Sequence, residues 1–274
     1  MNKYEDYIGL GVAGNFAGHL EQAGEASDFT KISVKDQKAP KGLFPFYVPS
    51  GKNRFIENYP ISSTTIAIPT NHSEFLQVEP EVALICEIQY NFEHKVCAII
   101  PTHFSSYNDC SIRKPGIRKI SQKKNWGPNS KGLSKQWIPI DQFCLGGVMD
   151  SYRLASFIVR DNQIIEYGVD SPLLAYSYFY QTLLDWTVET INNQTDDGPL
   201  ENISQLLEDA NFPSKLILSI GATKYTSFGE SNFLQDKDKV YIITYDSKIL
   251  DDPKKLIDSH EVQNDHSVLK QIVK

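Results

Sequence analysis

Two glutamates separated by one proline, Glu79-Pro80-Glu81, could act together in binding a cation. If this segment is extended, side chains two positions apart point to the same face, so the two carboxylates lie side by side. Adjacent carboxylates repel each other unless they are solvated, protonated or bridged by a cation. For this pair alone an exposed acidic strand is the simpler interpretation, and a cation site is the alternative.

A third acid, Asp109, stands in the run Asn108-Asp109-Cys110-Ser111-Ile112-Arg113. Residues 81–90 and 95–101 are rich in branched apolar side chains, which predicts adjoining strands joined by a turn at Asn91. Asp109 follows the second strand, so the three acids belong to one hairpin. Oxygen ligands of this kind suit Mg²⁺ or Mn²⁺, although a plain helix cap is an alternative for Asp109.

His19, with Glu21 and Gln22 close behind it, is a candidate general base. A neighbouring acid could hold the imidazole in one tautomer. A histidine that is merely hydrogen-bonded in the core or at the surface is the simpler alternative for this segment alone.

Gly9, Gly11 and Gly14 have the GxGxxG spacing of dinucleotide-binding turns, with Asp28 near the position of a ribose-binding acid. Mostly polar residues precede Gly9, and no βαβ series follows. Glycines required by a tight backbone path are therefore favoured over a nicotinamide site.

The elements that must position these residues are mainly strands. Residues 152–167 predict a hairpin that turns at Asp161-Asn162. A helix is expected after Ser171 as cap, with Pro172 as its first residue, and it ends near Asn192-Asn193. A short helix over 200–209 and strands over 215–220 and 240–245 complete the pattern. The order lacks βαβ alternation and predicts a β-rich α+β fold.

The composition limits the classes of protein to which this chain can belong. The 274 residues are 41% hydrophobic and carry a formal net charge of −7, which argues against global disorder and against general nucleic-acid or anionic-membrane binding. No apolar run is long enough to span a bilayer, and the first residues do not resemble a secretory signal. Four cysteines without paired spacing favour free thiols. We therefore expect a cytoplasmic protein with a single domain over 1–274, in which 1–65 carries His19 and 66–274 forms the β-rich core.

A basic stretch from Arg113 to Lys135 interrupts this acidic chain. Its weak periodicity predicts a long loop. The loop is interpreted either as a lid that attracts an anionic substrate or as a solvated, mobile segment.

Five of the segments described above or close to them, taken in their order along the chain, resemble the fumarylacetoacetate hydrolase family. The resemblance covers residues 9–246 and rests on five segments: Asn15–Gln22, Glu79-Pro80-Glu81, Asn108–Arg113, Lys131-Gly132-Leu133 and Gly221–Lys224. It implies a mixed β-sandwich roll with a few peripheral helices, assembled as a homodimer.

The resemblance also implies roles for single residues. Glu79, Glu81 and Asp109 would bind Mg²⁺, or Mn²⁺ or Ca²⁺, and His19 would activate water with Glu21 or Gln22 beside it. Lys131 would stabilise negative charge, and Arg113 and Thr223 would bind an anionic small-molecule substrate. The implied reaction is hydrolysis of a C–C bond in a 2-oxo acid or 1,3-diketo acid.

Two departures from the family pattern keep alternatives open. Gln22 stands where the family has an acid, and Val48 stands where it has a lysine before Pro49. A decarboxylase or isomerase of 2-oxo acids, or a protein that binds metal without turnover, would fit the same scaffold.

Overall fold

The computed structural model describes residues 3–25, 29, 36, 38–52, 54–69, 76–113, 116, 118–257 and 265–274. These residues form fifteen strands and five α-helices, which confirms the β-rich α+β prediction. The strands are β1 (Ile8–Ala13), β2 (Gly42–Tyr47), β3 (Ile61–Ser62), β4 (Thr65–Ile66), β5 (Leu76–Gln77), β6 (Pro80–Tyr90), β7 (Val96–Asn108), β8 (Ser111–Ile112), β9 (Lys131–Leu133), β10 (Ile138–Pro139), β11 (Tyr152–Arg160), β12 (Gln163–Pro172), β13 (Lys215–Ser219), β14 (Lys239–Asp246) and β15 (His266–Val273). The helices are α1 (His19–Gln22), α2 (Ile120–Lys124), α3 (Tyr180–Asn193), α4 (Ile203–Asp209) and α5 (Ser227–Ser231).

Two mixed sheets contain most of the strands. The larger has the order β2-β1-β13-β6-β7-β9-β3, with β10 also paired to β7. The smaller has the order β12-β11-β14-β15-β4, and β5 pairs with β8 separately. Parallel pairing occurs between β1 and β13, between β15 and β4 and between β3 and β9. The first strand of the chain therefore lies inside the larger sheet, next to a strand formed some 200 residues later.

The main hydrophobic core takes residues from both sheets and from α3. Phe104 of β7 packs edge-to-face on Tyr152 of β11, with ring centroids 4.8 Å apart. The first seven residues of β6 are all buried, which explains their nearly continuous apolar run, whereas burial alternates toward the end of the strand. The acidic pair thus lies at the buried end of β6.

The predicted hairpin is confirmed as β11 and β12. Asp161 and Asn162 have positive φ values of 51° and 61°, as a two-residue hairpin turn requires, and asparagine and aspartate tolerate that conformation well. The short helix appears as α4, and the two late strands appear as β13 and β14.

The helix expected from Ser171 is wrong at its start. Ser171 and Pro172 are the last residues of β12, where they pair with Leu154 and Arg153, and α3 begins only at Tyr180. Pro172 is tolerated because β12 is an edge strand, where a missing N–H costs no ladder bond. Ser171 and Pro172 are residue types that favour the start of a helix, but their pairing with β11 outweighed this local preference.

The long loop expected over the basic stretch is also wrong in part. Residues 120–124 form α2, and residues 131–133 form β9, which pairs with β3 and β7. Lys123, Lys124 and Lys131 are buried, whereas Arg118 and Lys135 are exposed. Lys114, which was included in the predicted lid, lies outside the described residues, as does Asp28.

None of the helices described here is long and apolar enough to cross a membrane.

Candidate metal and catalytic site

The β6–β7 hairpin brings the three predicted acids together. Glu79 and Glu81 flank Pro80, the first residue of β6, and Asp109 follows Asn108, the last residue of β7. Pro80 pairs with Asn108 across the hairpin, and the Asp109 amide donates to the Glu79 carbonyl at 3.0 Å. One oxygen from each carboxylate lies within 4.8 Å of the others, and all three residues are buried.

Two lysines of the basic stretch reach into this acidic cluster. The Lys124 Nζ lies 2.7 Å from Glu79 Oε1 and 2.5 Å from Asp109 Oδ2. The Lys131 Nζ lies 3.4 Å from Asp109 Oδ1 and donates a hydrogen bond to the Cys110 carbonyl. Both side chains are almost completely buried, so their charges act at close range and are poorly screened.

Arg113 is tied to acids as well. Its guanidinium lies 2.6 Å from Glu79 Oε1 and 2.6 Å from Glu25 Oε1, and it also donates to Gln77 and to the Tyr225 hydroxyl. Every one of these contacts is internal to the protein. The role of Arg113 in substrate binding stays a prediction, because an incoming carboxylate would have to replace one of these partners.

Glu79 carries a negative charge at neutral pH. Burial raises its pKa, but the adjacent Arg113 and Lys124 outweigh burial and hold the pKa well below the ordinary value for a glutamate. The ammonium of Lys124 is stabilised in return: burial lowers its pKa, and the neighbouring Asp109 and Glu79 raise it above the usual value.

Glu81 behaves differently, although it is only two positions away. Burial, reinforced by the charges of Asp109 and Glu79, raises the pKa of Glu81 well above the ordinary value. Its Oε2 accepts hydrogen bonds from the Ser219 hydroxyl at 2.5 Å and from the Gly221 amide at 3.1 Å. The protonated form is therefore more favoured for Glu81 than for Glu79.

His19 faces the same cluster from α1. Its Nδ1 lies 2.9 Å from the Thr223 carbonyl, to which it must donate, so the lone pair of the neutral ring is on Nε2. Among the described residues Nε2 makes no hydrogen bond, and the nearest acid oxygen is Glu79 Oε2 at 3.9 Å. Burial lowers the pKa of His19 to about 4. The imidazole is therefore neutral at pH 7, and its Nε2 lone pair, on the side of the acids, can accept a proton.

Glu21 and Gln22 do not contribute to this arrangement as expected. Glu21 is exposed, and Gln22 binds the backbone of Tyr225 through hydrogen bonds of 2.9 and 3.2 Å and also contacts Glu230. The group that orients His19 is the Thr223 carbonyl instead. Gln22 fixes the loop that carries this carbonyl, so its effect on the imidazole is indirect.

Thr223 is buried and contributes its backbone rather than its hydroxyl. Its amide donates to the Pro80 carbonyl at 3.2 Å and its carbonyl accepts from His19. Its predicted part in substrate binding stays a prediction. Val48, which replaces the family's lysine, is fully buried in the main core, where a charged side chain would be costly.

Sequence reasoning missed the importance of Lys124 and Glu25. Lys124 follows Ile120 by four positions, and residues at that spacing share one face of a helix. Ile120 is buried against Phe44, so its face is the inner one. This apolar residue was the signal that Lys124 points inward, but five residues are too few for a periodicity to be recognised.

The donor set fits a divalent cation. Oxygens on opposite sides of an ion are about 4.2 Å apart for Mg²⁺ and about 4.8 Å apart for Ca²⁺, so a small adjustment would bring these carboxylates into range. Both Asp109 oxygens and Glu79 Oε1 are buried and have no well-directed hydrogen bond in the described part of the chain. Among the described residues, these oxygens lie close to the cationic groups of Arg113, Lys124 and Lys131, which another cation could replace.

The space left at the site is small. A cavity of about 20 Å³ is bounded by His19, Glu79, Glu81 and Lys124, with Ala222 among its other neighbours. That volume holds about one water molecule or one ion. A substrate of several heavy atoms can enter only if part of the wall moves, and Lys124 and Ile120 of α2 form one side of it.

The glycines of the GxGxxG segment are explained by packing. A Cβ on Gly9 would lie 2.2 Å from the Phe46 ring, and one on Gly11 would lie 2.2 Å from the Phe44 ring. The helix that follows them, α1, has only four residues, too few to bind a pyrophosphate as a nucleotide-binding helix does. The nicotinamide alternative has no support in this geometry.

Comparison with known proteins gives a family and a fold. The model of a family of unknown function (DUF5718) matches residues 25–273. A search of curated proteins finds no significant match. A solved 2-keto-3-deoxyarabinonate dehydratase is similar over 97% of this chain and 73% of its own, with a TM-score of 0.54 and 16% identity.

Two further solved structures are similar over 97% of this chain. A 5-carboxymethyl-2-hydroxymuconate delta-isomerase from Mycobacterium smegmatis has a TM-score of 0.51 and 15% identity, with 78% of its chain covered. A protein from Yersinia pestis CO92 assigned to the fumarylacetoacetate hydrolase family has a TM-score of 0.52 and 13% identity, with 93% of its chain covered. Identities this low establish the fold alone, and that fold is the one the sequence resemblance implied. The chain belongs to the family of unknown function DUF5718, and it has the fold of fumarylacetoacetate hydrolase-like proteins.

Proposed function

We propose that this protein is a divalent-metal-dependent hydrolase that cleaves a C–C bond in a 2-oxo acid or 1,3-diketo acid. One observation carries the proposal: three buried carboxylates converge within 4.8 Å, and the accepting Nε2 of a buried neutral histidine lies against them. The fold supports it, because proteins of this fold include a dehydratase, an isomerase and a protein assigned to the fumarylacetoacetate hydrolase family.

Each residue then has a defined task. Glu79, Glu81 and Asp109 would hold the ion, Mg²⁺ in the first instance, which when bound supplies Lewis-acid polarisation of a substrate carbonyl. His19 takes a proton from water at Nε2, and the resulting hydroxide adds to the distal carbonyl. The C–C bond breaks, its electron pair stays on the carbon next to the 2-oxo group, and that carbon takes up the proton. The products are a carboxylic acid and a shorter 2-oxo acid.

The charges around the site favour an anionic substrate. Lys131 and Arg113 place positive charge beside the acids, and Lys124 adds a third cation. A small molecule with one or two carboxylates could exchange with the internal acids now paired to these groups. We expect no nucleic-acid partner, a cytoplasmic location and a homodimer, and light scattering of the purified protein tests the last of these.

The experiment is a substrate panel with product identification. Acylpyruvates, oxaloacetate and related 2-oxo acids are incubated with the protein and Mg²⁺ or Mn²⁺, and products are identified by mass spectrometry and NMR. Release of a carboxylic acid supports the hydrolase, whereas loss of CO₂, dehydration or a shifted double bond would replace it with a lyase or an isomerase.

Matched variants assign the reaction to this site. Asp109→Asn and His19→Gln should each lower kcat by about a hundredfold or more, the size expected for loss of a metal ligand or a general base. Lys215→Met removes one charge at the far end of β13 and should leave kcat unchanged. Turnover that survives Asp109→Asn would contradict the proposal.

A further inference from the structure

The ammonium of Lys124 occupies the place that a metal ion would need. It lies 2.7 Å from Glu79 Oε1 and 2.5 Å from Asp109 Oδ2, two of the three oxygen-bearing groups that converge there. An ion bound to the same two carboxylates would be in close contact with this ammonium. Two cations cannot share these oxygens at such distances without strong repulsion.

Lys124 is a buried and anchored part of the site. Its side chain is only 3% exposed, and its Nζ also lies 5.3 Å from the centre of the Phe44 ring. The next residue, Asn125, donates hydrogen bonds to the carbonyls of Phe46 and Asn58, which fixes the end of α2. The lysine is therefore aimed inward by backbone contacts that do not involve the acids.

The cavity leads to the same conclusion. The open volume beside Glu79 and Glu81 is about 20 Å³, and Lys124 is part of its wall. Because that volume holds about one water molecule or one ion, an ion that keeps several water ligands does not fit while the lysine stays in place. Withdrawal of the Lys124 side chain makes room and frees two carboxylates in one movement.

We propose that Lys124 is an internal counter-cation that competes with the divalent ion for Glu79 and Asp109, so that the ion binds only when Lys124 withdraws. This inference rests on the metal site of the proposed function and not on the reaction. The affinity of such a site is reduced by the fraction of molecules in which the lysine is withdrawn. If that fraction is about one tenth or less, removing the lysine tightens binding by about tenfold or more.

The test measures Mn²⁺ binding to the purified full-length protein after EDTA treatment, by calorimetry and by the EPR signal of free Mn²⁺. Lys124→Met keeps the length of the side chain and removes its charge, and Lys124→Gln is a second, polar replacement. Lys215→Met is the control for the change in net charge. We expect the Mn²⁺ Kd to fall by about tenfold or more in both Lys124 variants and to stay within about twofold in the control.

Two additional measurements place the effect at this site. Asp109→Asn combined with Lys124→Met should lose the tight binding. In the unmodified sequence, acetylation of Lys124, followed by peptide mass spectrometry, should increase on addition of Mn²⁺ because the displaced ammonium becomes accessible. Folding of each variant is checked by its thermal melt, and Mn²⁺ should raise the Tm of Lys124→Met more than that of the parent protein.

Several results would overturn the inference. These are equal Kd values in the parent and both Lys124 variants, weaker binding in the variants, no Mn²⁺ binding to any form, or acetylation of Lys124 that Mn²⁺ does not change. Tighter binding in Lys124→Met with no cleavage of any panel substrate would leave the inference standing and contradict the proposed hydrolase alone.

Discussion

Glu79 and Glu81 are two positions apart and equally buried, yet their pKa values are shifted in opposite directions. Arg113 and Lys124 contact Glu79 directly, whereas Glu81 accepts hydrogen bonds from neutral groups, Ser219 and the Gly221 amide. Since the two residues have the same type, the difference comes entirely from their neighbours. Their contributions to stability should differ for the same reason.

Glu79→Gln should destabilise the metal-free protein by about 3–5 kcal/mol, because it leaves Arg113 and Lys124 buried without their common anion. Glu81→Gln should change stability by less than about 1 kcal/mol, because burial raises the pKa of Glu81 and favours its uncharged form, for which an amide is a close replacement. Urea unfolding at pH 7 in EDTA measures both, and each variant serves as the control for the other. Equal losses would show that the two acids carry the same charge in the folded protein.

Among the secondary-structure elements, the short helix α2 shapes the site directly, because it carries Lys124 and forms one wall of the cavity. Its Ser121 hydroxyl hydrogen-bonds Glu201, just before α4. Burial, with a smaller contribution from Asp196, raises the pKa of Glu201 to about 7. The carboxyl is therefore protonated in the folded protein at mildly acidic pH, while it is ionised in the unfolded chain.

This shift predicts a pH dependence of stability. A folded-state pKa above the unfolded value of 4.5 stabilises the protein below pH 4.5, and the contribution is lost as the pH rises through about 7. The total is up to about 3 kcal/mol. Urea unfolding between pH 4.5 and 8 should show this part of the slope in the parent protein and not in Glu201→Gln. Identical slopes in the two proteins would contradict the prediction.

The packing of β1 on β2 gives a second prediction for elements. Gly11→Ala places a methyl group 2.2 Å from the Phe44 ring and should destabilise the protein by about 1–3 kcal/mol. Adding Phe44→Leu to this variant should recover part of the loss, because the smaller side chain makes room. Thermal melts of the single and double variants measure the effect. Full additivity of the two losses would contradict the proposed contact.

For the whole molecule, the position of β1 inside the larger sheet has consequences. It lies between β2 and β13, so residues 1–65 supply an interior strand of this sheet as well as His19. We predict that a fragment of residues 66–274 does not fold cooperatively, because β13 would become an edge and expose Leu216 and Leu218. Near-UV circular dichroism and a thermal melt test this against the full chain. A fragment that melts cooperatively at the parent temperature would show that 66–274 is an independent domain.

Local patterns allowed several features to be predicted from the sequence. The β6–β7 and β11–β12 hairpins follow from branched apolar runs and turn residues, and the grouping of Glu79, Glu81 and Asp109 follows from their places along one hairpin. Where local signals competed with pairing, they failed. Ser171-Pro172 has the chemistry of a helix start but completes β12 instead.

The sequence by itself determined the β-rich class and the identity of the clustered acids, because period-two burial and residue spacing act over a few neighbours. Only the tertiary structure decided what faces those acids. Lys124 comes from a five-residue helix, Glu25 from the segment after α1, and the carbonyl that orients His19 from Thr223, some 200 residues away. The physical reason is that charge state and occupancy of a buried site depend on distances between segments remote in sequence. A short pattern cannot encode those distances.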